Sequence, residues 1–190
     1  MPRFDWTILK SRYIVQDEWL SLRADTCQMP NGCIVDPYYV FEFPAWVNVV
    51  ALTDNDEVVL VRQYRHGIRK TVLGLPCGNV TENDPSPIHA ARRELLEETG
   101  YISENFIETG NLSANPANHT NLTHCFLAID ARPAATPRFD DTEQIDVVLT
   151  PLPKVIELIE AGHLFHALDV CAIFLALKGL GRIHWNCTDG

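Results

Sequence analysis

Along the first third of the chain, apolar and polar side chains come in short runs with a period near two, each ended by turn-forming residues. TILKSRYIV, WLSLRADTCQM, IVDPYYVFEF, WVNVVALT and VVLVRQY are rich in β-branched and aromatic residues, and Pro30-Asn31-Gly32 and Asp54-Asn55-Asp56 punctuate them. This half is expected to be mostly antiparallel sheet. Residues 66–85 are rich in Gly and Pro and hold one short strand around Val72 to Leu75, the pattern of a loop that delivers something. The period then changes: Pro87 suits a first helical turn and Gly100 a helix stop, which predicts a helix over residues 86–99. Strands are expected again near 106–113, 121–130 and 143–150, followed by two helices in LPKVIELIEAG and HALDVCAIFLALKG, with 131–137 as the most mobile loop.

Composition narrows the class. A chain of 190 residues, 46% hydrophobic and 21% charged, can bury a core without a staple, and disorder, collagen and coiled coil are excluded. The longest apolar run, Val170 to Leu177, is far shorter than the roughly 20 residues that span a bilayer, so it reads as a buried helix and no membrane partner is expected. Twenty-five acidic residues against 15 Lys plus Arg leave a net charge of -10, which repels a bare phosphate backbone and argues against nucleic-acid binding. Six cysteines without a CxxC pair, and an N-terminus without an unbroken apolar core, point to a reduced, cytoplasmic protein.

Chemistry concentrates in PIHAARRELLEETG. Glu94, Glu97 and Glu98 fall at i, i+3 and i+4, a sector of about 100° on one helix face. Ile88, Leu95 and Leu96 are expected on the far side. Like charges so placed repel, and the remedy is oxygen ligation of a hard cation, Mg2+ with Mn2+ as the alternative. Arg93, four residues before Glu97, can hold that carboxylate. Taken alone this is equally the pattern of a solvated helix face. Its surroundings decide: the basic segment VRQYRHGIRK and the glycine turn LPCGN precede it within 40 residues, the equipment for metal-assisted attack on a phosphate.

Residues 78–101 resemble the Nudix box. Its second half stands as Arg93, Glu94, Leu95, Leu96, Glu97, Glu98, Thr99 and Gly100, with Tyr101 in the last aliphatic slot. The first half departs: Asp84 stands where Glu is usual, and eight residues rather than seven separate it from Arg93. Over nearly the whole chain the sequence is similar to the ADP-ribose and nucleoside-diphosphate-sugar pyrophosphatase branch of Nudix hydrolases, with Pro116, sixteen residues after Gly100, matching the branch proline. Gly74 replaces the Glu that usually precedes the LPAG loop, and Cys77 replaces its alanine.

The resemblance implies an α+β fold, an α/β/α sandwich with a mixed sheet and an N-terminal antiparallel β extension. Residues 1–45 would be the extension and 46–190 the hydrolase domain. It implies Glu94 and Glu98 as metal ligands, Glu97 as ligand or water-orienting base, the Cys77 carbonyl as a further ligand, and Glu143 or Asp141, in DDTEQI, for metal or the attacking water. Gly78 and Pro116 fall on the substrate side. The Cys77 thiol itself reads as a small buried hydrophobe. Arg65 is a candidate phosphate clamp, because a guanidinium binds two phosphate oxygens, and Trp46, Tyr38 and Tyr39 are candidates for stacking on a base, although aromatic residues in strands more often pack in cores or interfaces. His163 and His166 show no ligand pattern and read as structural. The expected activity is hydrolysis of the pyrophosphate of ADP-ribose or a related nucleoside-diphosphate sugar by a homodimer whose N-terminal strands cross to the partner. The alternative is a nucleotide-sugar sensor that binds without hydrolysis, which retention of all three helix carboxylates disfavours.

Overall fold

The computed structural model describes residues 4–139 and 144–183. By internal contacts the chain forms two units, Met1–Pro44 with Ser113–Leu122, and Ala45–Leu112 with Thr123–Gly190. No described helix is long and apolar enough to cross a membrane.

The first unit is a three-stranded antiparallel sheet, β1 (Thr7–Gln16), β2 (Ser21–Gln28) and β3 (Ile34–Glu42), in the order β1-β2-β3. Arg23 and Asp25 are two residues apart in β2 and so share a face; Arg23 Nε donates to Asp25 Oδ1 at 2.9 Å, and its guanidinium also pairs with Glu42 of β3. Residues 113–122 dock by main-chain bonds from Phe41 N–H to Asn118 O (2.7 Å) and Thr120 N–H to Phe41 O (3.1 Å), where the rings of Phe41, Phe43 and His119 cluster.

The second unit is built on β4 (Trp46–Leu52), β5 (Glu57–Arg65), β6 (Lys70–Gly74) and β7 (Cys77–Asn79), helix α1 (Pro87–Thr99), β8 (Tyr101–Ile102), β9 (Asn105–Leu112), β10 (Thr123–Ile129), β11 (Arg132–Pro133), β12 (Ile145–Pro151), α2 (Leu152–Glu160) and α3 (Ala167–Gly179). The main sheet runs β12-β5-β4-β10-β9, with β6 on β5 and β7 on β4. β4 and β10 are parallel and the other pairs antiparallel, so the sheet is mixed.

The period of two sorts this sheet into two cores. Val47, Val49 and Ala51 of β4 join Val59, Phe126 and Ala128 against Ala90, Ala91 and Leu95 of α1. Val50 and Leu52, one position out of step, join Val58, Leu60, Cys125 and Leu127 against Val155 of α2 and Ala172, Ile173 and Ala176 of α3. Helices therefore cover both faces: the α/β/α sandwich implied by the resemblance is the fold of this unit.

Three local expectations are corrected. Leu95 is not on the side away from the carboxylates but shares the buried arc of α1 with Ala90, Ala91 and Glu98, while Leu96 is 36% exposed. The apolar run in α3 is not buried all round: Cys171 and Phe174 face outwards while Ala172, Ile173, Ala176 and Leu177 pack inwards. Residues 131–137 are tied down rather than loose, since Ala134 and Ala135 N–H donate to Gly100 O (2.9 and 3.1 Å), Ala131 is buried, and β11 pairs with β8.

Candidate active site

The site is assembled where β7 delivers a glycine turn to α1. β7 pairs with β4 through Gly78–Val47 and Cys77–Asn48, which fixes the turn against the sheet. α1 starts at Pro87 and ends at Gly100, whose left-handed φ of 74° any side chain would resist. Gly78 matters for a different reason. A Cβ there would overlap the Glu94 carboxylate, so any side chain at 78 would push that carboxylate from its place against the turn.

The three glutamates occupy three environments. Glu98 is 4% exposed and its Oε2 accepts the Cys77 main-chain N–H at 3.1 Å. Glu94 has a largely buried side chain, 14% exposed, and Glu97 is 45% exposed. Arg93 holds the last two together: Nη1 donates to Glu94 Oε1 at 2.8 Å and to Glu97 Oε2 at 3.0 Å. The same guanidinium reaches back across the turn, with Nε to Asp84 Oδ1 at 3.1 Å, Nη2 to Asp84 Oδ2 at 2.9 Å, and Nη2 to Asn79 O at 2.9 Å. Asp84 also accepts from the Thr81 N–H and hydroxyl. The Arg93 guanidinium and these Thr81 donors hold the Asp84 carboxyl well below the usual carboxylate range, against the opposing effect of its burial. Arg93 is correspondingly raised, chiefly by Asp84 and then by the glutamates. The departures in the first half of the motif are thus accommodated: the shorter acid still makes a two-pronged contact with Arg93.

Among the described residues, no three His, Cys, Asp or Glu side chains converge on one point as a preformed cage. The arrangement nevertheless fits a hard divalent cation. A buried carboxylate beside a glycine turn, a second pressed against Gly78 and a third half in water are oxygen donors on one helix face, spaced for an ion bound partly through water and phosphate oxygens. The Cys77 thiol is pushed up to about 12, by burial first and then by Glu98 and Asp169, so it stays protonated and takes no part as a thiolate.

A cleft of about 570 Å3 opens beside this turn, lined among others by Trp46, Arg65, His66, Phe165, His166 and Asp169. Arg65 and Trp46 are therefore brought together. Arg65 is also the link to the helix, because its Nη2 lies 3.6 Å from Cys77 Sγ and the Cys77 N–H is bound to Glu98. Tyr38 belongs to the first unit, where its ring meets Trp6 edge-on at 5.7 Å and its hydroxyl donates to Ala117 O; Tyr39 lies in β3 of the same unit, and Pro116 in its docked segment. Asp141 and Glu143 lie outside the described residues.

The sequence reading missed Asp169. It is 3% exposed in α3 and accepts from Asn48 Nδ2 (2.9 Å), the Leu75 N–H (3.2 Å) and His166 Nδ1 (2.8 Å). The available signal was a lone acid among the apolar residues ALDVCAIFLALKG, which a helix core does not accept without donors.

Comparison with known proteins finds matches along most of the chain. Residues 43–167 match the family model described as NUDIX domain, and residues 6–41 match nucleoside diphosphate sugar hydrolase N-terminal domain. The chain belongs to the Nudix family. It is 28% identical over 174 residues to an ADP-ribose pyrophosphatase of Bacillus subtilis (strain 168), covering 90% of this chain and 92% of the relative. It is 32% identical over 169 residues to a GDP-mannose pyrophosphatase of Salmonella arizonae (strain ATCC BAA-731 / CDC346-86 / RSK2980), covering 83% and 87%. A crystal structure of ADP compounds hydrolase superposes with a TM-score of 0.83 at 26% identity, covering 96% of this chain and all of that one. As a Nudix hydrolase the protein is expected to act with a divalent metal, in keeping with the oxygen donors of α1.

Proposed function

We propose that this Nudix pyrophosphohydrolase cleaves the pyrophosphate bond of ADP-ribose or a related nucleoside-diphosphate sugar, giving a nucleoside monophosphate and a sugar phosphate. The observation that carries the reading is the α1 carboxylate face locked by Arg93 against the Gly78 turn. Glu94 and Glu98, with the Cys77 carbonyl and Glu97, would hold Mg2+, with Mn2+ as the alternative. When bound, the cation neutralises pyrophosphate charge and lowers the pKa of the attacking water. Arg93 pairs with Glu94 and Glu97, and Glu97, the most exposed of the three, would orient water, a role that Glu143 or Asp141 would share. Arg65 would bind phosphate oxygens and Trp46 would form a wall of the cleft, with Gly78 and Pro116 kept as substrate-side candidates on the family resemblance alone.

We also propose a homodimer formed through the N-terminal sheet. β1 is an edge strand with all ten residues exposed, Ile8 at 55%, Leu9 at 53%, Tyr13 at 48% and Ile14 at 42% among them, an apolar edge that invites a second copy.

The test is a hydrolysis panel of ADP-ribose, ADP-glucose, GDP-mannose, UDP-glucose and NADH with Mg2+ and with Mn2+, products identified by mass. Release of a nucleoside monophosphate plus a sugar phosphate supports the reading. Tight binding without turnover would support a sensor instead.

A further inference from the structure

The cleft beside the glycine turn contains a polar assembly that the hydrolytic scheme above leaves unused. Asp169 is the single acidic residue of α3 and is buried against the sheet. Its carboxylate takes three donors from three parts of the chain, Asn48 in β4, the Leu75 N–H in the turn and His166 at the start of its own helix. Gly74 makes room for it: a Cβ at that position would lie 2.8 Å from Asp169 Oδ2, so a side chain at 74 would force the carboxylate to shift.

Two donors would already serve a buried carboxylate, yet the third comes from a side chain that reaches the cleft. A carboxylate cannot donate, so His166 Nδ1 must carry the proton, and the ring is held with its Nε2 edge as the remaining polar position. The His166 side chain is 55% exposed and lines the cleft together with Arg65, His66, Trp46 and Phe165. Its affinity for a proton is raised by the bond to Asp169, opposed by burial and by the nearby Arg65 charge. A guanidinium, an imidazole held by a carboxylate and two aromatic side chains in one cleft suit a phosphorylated nucleoside, donors for the phosphate and rings for the base.

Resting on the nucleoside-diphosphate-sugar reading, we infer that His166, positioned by Asp169, binds a phosphate of the substrate together with Arg65. His166 is then a substrate-binding residue and Asp169 a positioning residue. The titratable groups lining the cleft are Arg65 and His66 at the end of β5 and the following turn, and His166 and Asp169 at the start of α3; β4 and β6 contribute none to its lining. His66 is itself a histidine, so pH effects are judged by the difference between wild type and a His166 variant.

The experiment is steady-state hydrolysis of ADP-ribose and GDP-mannose by the full chain with Mg2+, from about pH 5.5 to about pH 8.5, alongside calorimetric binding of both. His166→Gln is expected to raise KM about tenfold at the acid end with kcat within about threefold and melting temperature unchanged. It should also flatten the rise in KM that wild type shows as the imidazole loses its proton. Asp169→Asn should move KM in the same direction; if that variant fails to fold, His166→Gln decides alone. A KM for His166→Gln within about twofold of wild type at every pH overturns the inference while leaving the hydrolase reading intact. A wild type that neither binds nor hydrolyses either nucleotide overturns both.

Discussion

The main-chain N–H of Cys77 donates to Glu98 Oε2 at 3.1 Å, joining the glycine turn to the buried end of the helix carboxylate face. Glu98→Gln keeps an acceptor oxygen for that bond and removes the charge a cation needs. Turnover should fall at least about a hundredfold, the scale of losing one strong electrostatic contributor, while the melting temperature holds within a few degrees. Half of wild-type turnover in this variant would refute the ligand assignment.

Arg65 is exposed and approaches the turn only through Cys77 Sγ, so its removal should cost little stability. Arg65→Ala should raise KM about tenfold or more, the range for a hydrogen bond between charged partners. Unchanged KM with a lowered melting temperature would mark Arg65 as structural.

Asp84 and Arg93 make a pH-dependent contribution whose sign is fixed. The carboxyl is held below its ordinary range in the fold, so its stabilisation is complete above about pH 4 and is lost as pH falls through the lowered value. Asp84→Asn should cost about 1.5 to 3 kcal/mol at neutral pH, and the gap between variant and wild type should begin to narrow once the pH falls below the ordinary carboxylate range. Urea melts at about pH 7 and about pH 3 check this, the gap being smaller at the lower pH.

Gly100 and Gly162 both have left-handed φ, 74° and 70°, but a Cβ at 100 would strike the Ala135 carbonyl whereas one at 162 meets nothing within 4 Å. Each change to alanine should cost about 1 to 2 kcal/mol of backbone strain. Gly100→Ala should lose more than Gly162→Ala by thermal melting; equal losses would mean that the 131–137 segment yields freely.

The proposed dimer is tested on β1 without truncation. Ile8→Glu with Ile14→Glu places charges on an edge strand whose side chains are exposed, so folding should persist. Light scattering should give twice the chain mass for wild type and the single-chain mass for the variant; a single-chain wild type refutes the dimer.

Much of this architecture is legible in local pattern. The period-two runs of residues 7–64 and the Pro87 to Gly100 frame correspond to β1 to β5 and α1 within a residue or two, because each rests on neighbours along the chain. The face of α1 was harder to read: Leu95, expected opposite the carboxylates, shares the buried arc with Glu98. Asp169 could not be placed at all, since its donors Leu75 and Asn48 lie 94 and 121 positions away and Gly74 signals a vacancy without saying what fills it. Long-range polar contacts leave no periodic trace in a single sequence.

The contact between Asp84 and Arg93 shows how a departure from the family pattern is absorbed. Measured against the pattern it resembles, the motif has an acid one methylene shorter and a connection one residue longer, yet the guanidinium still receives both carboxylate oxygens. Reach is therefore not what the shorter side chain forfeits here: the bend of the chain between Thr81 and Pro87 brings the carboxylate to the guanidinium, and the clamp on Arg93 is made by main-chain course as much as by side-chain length.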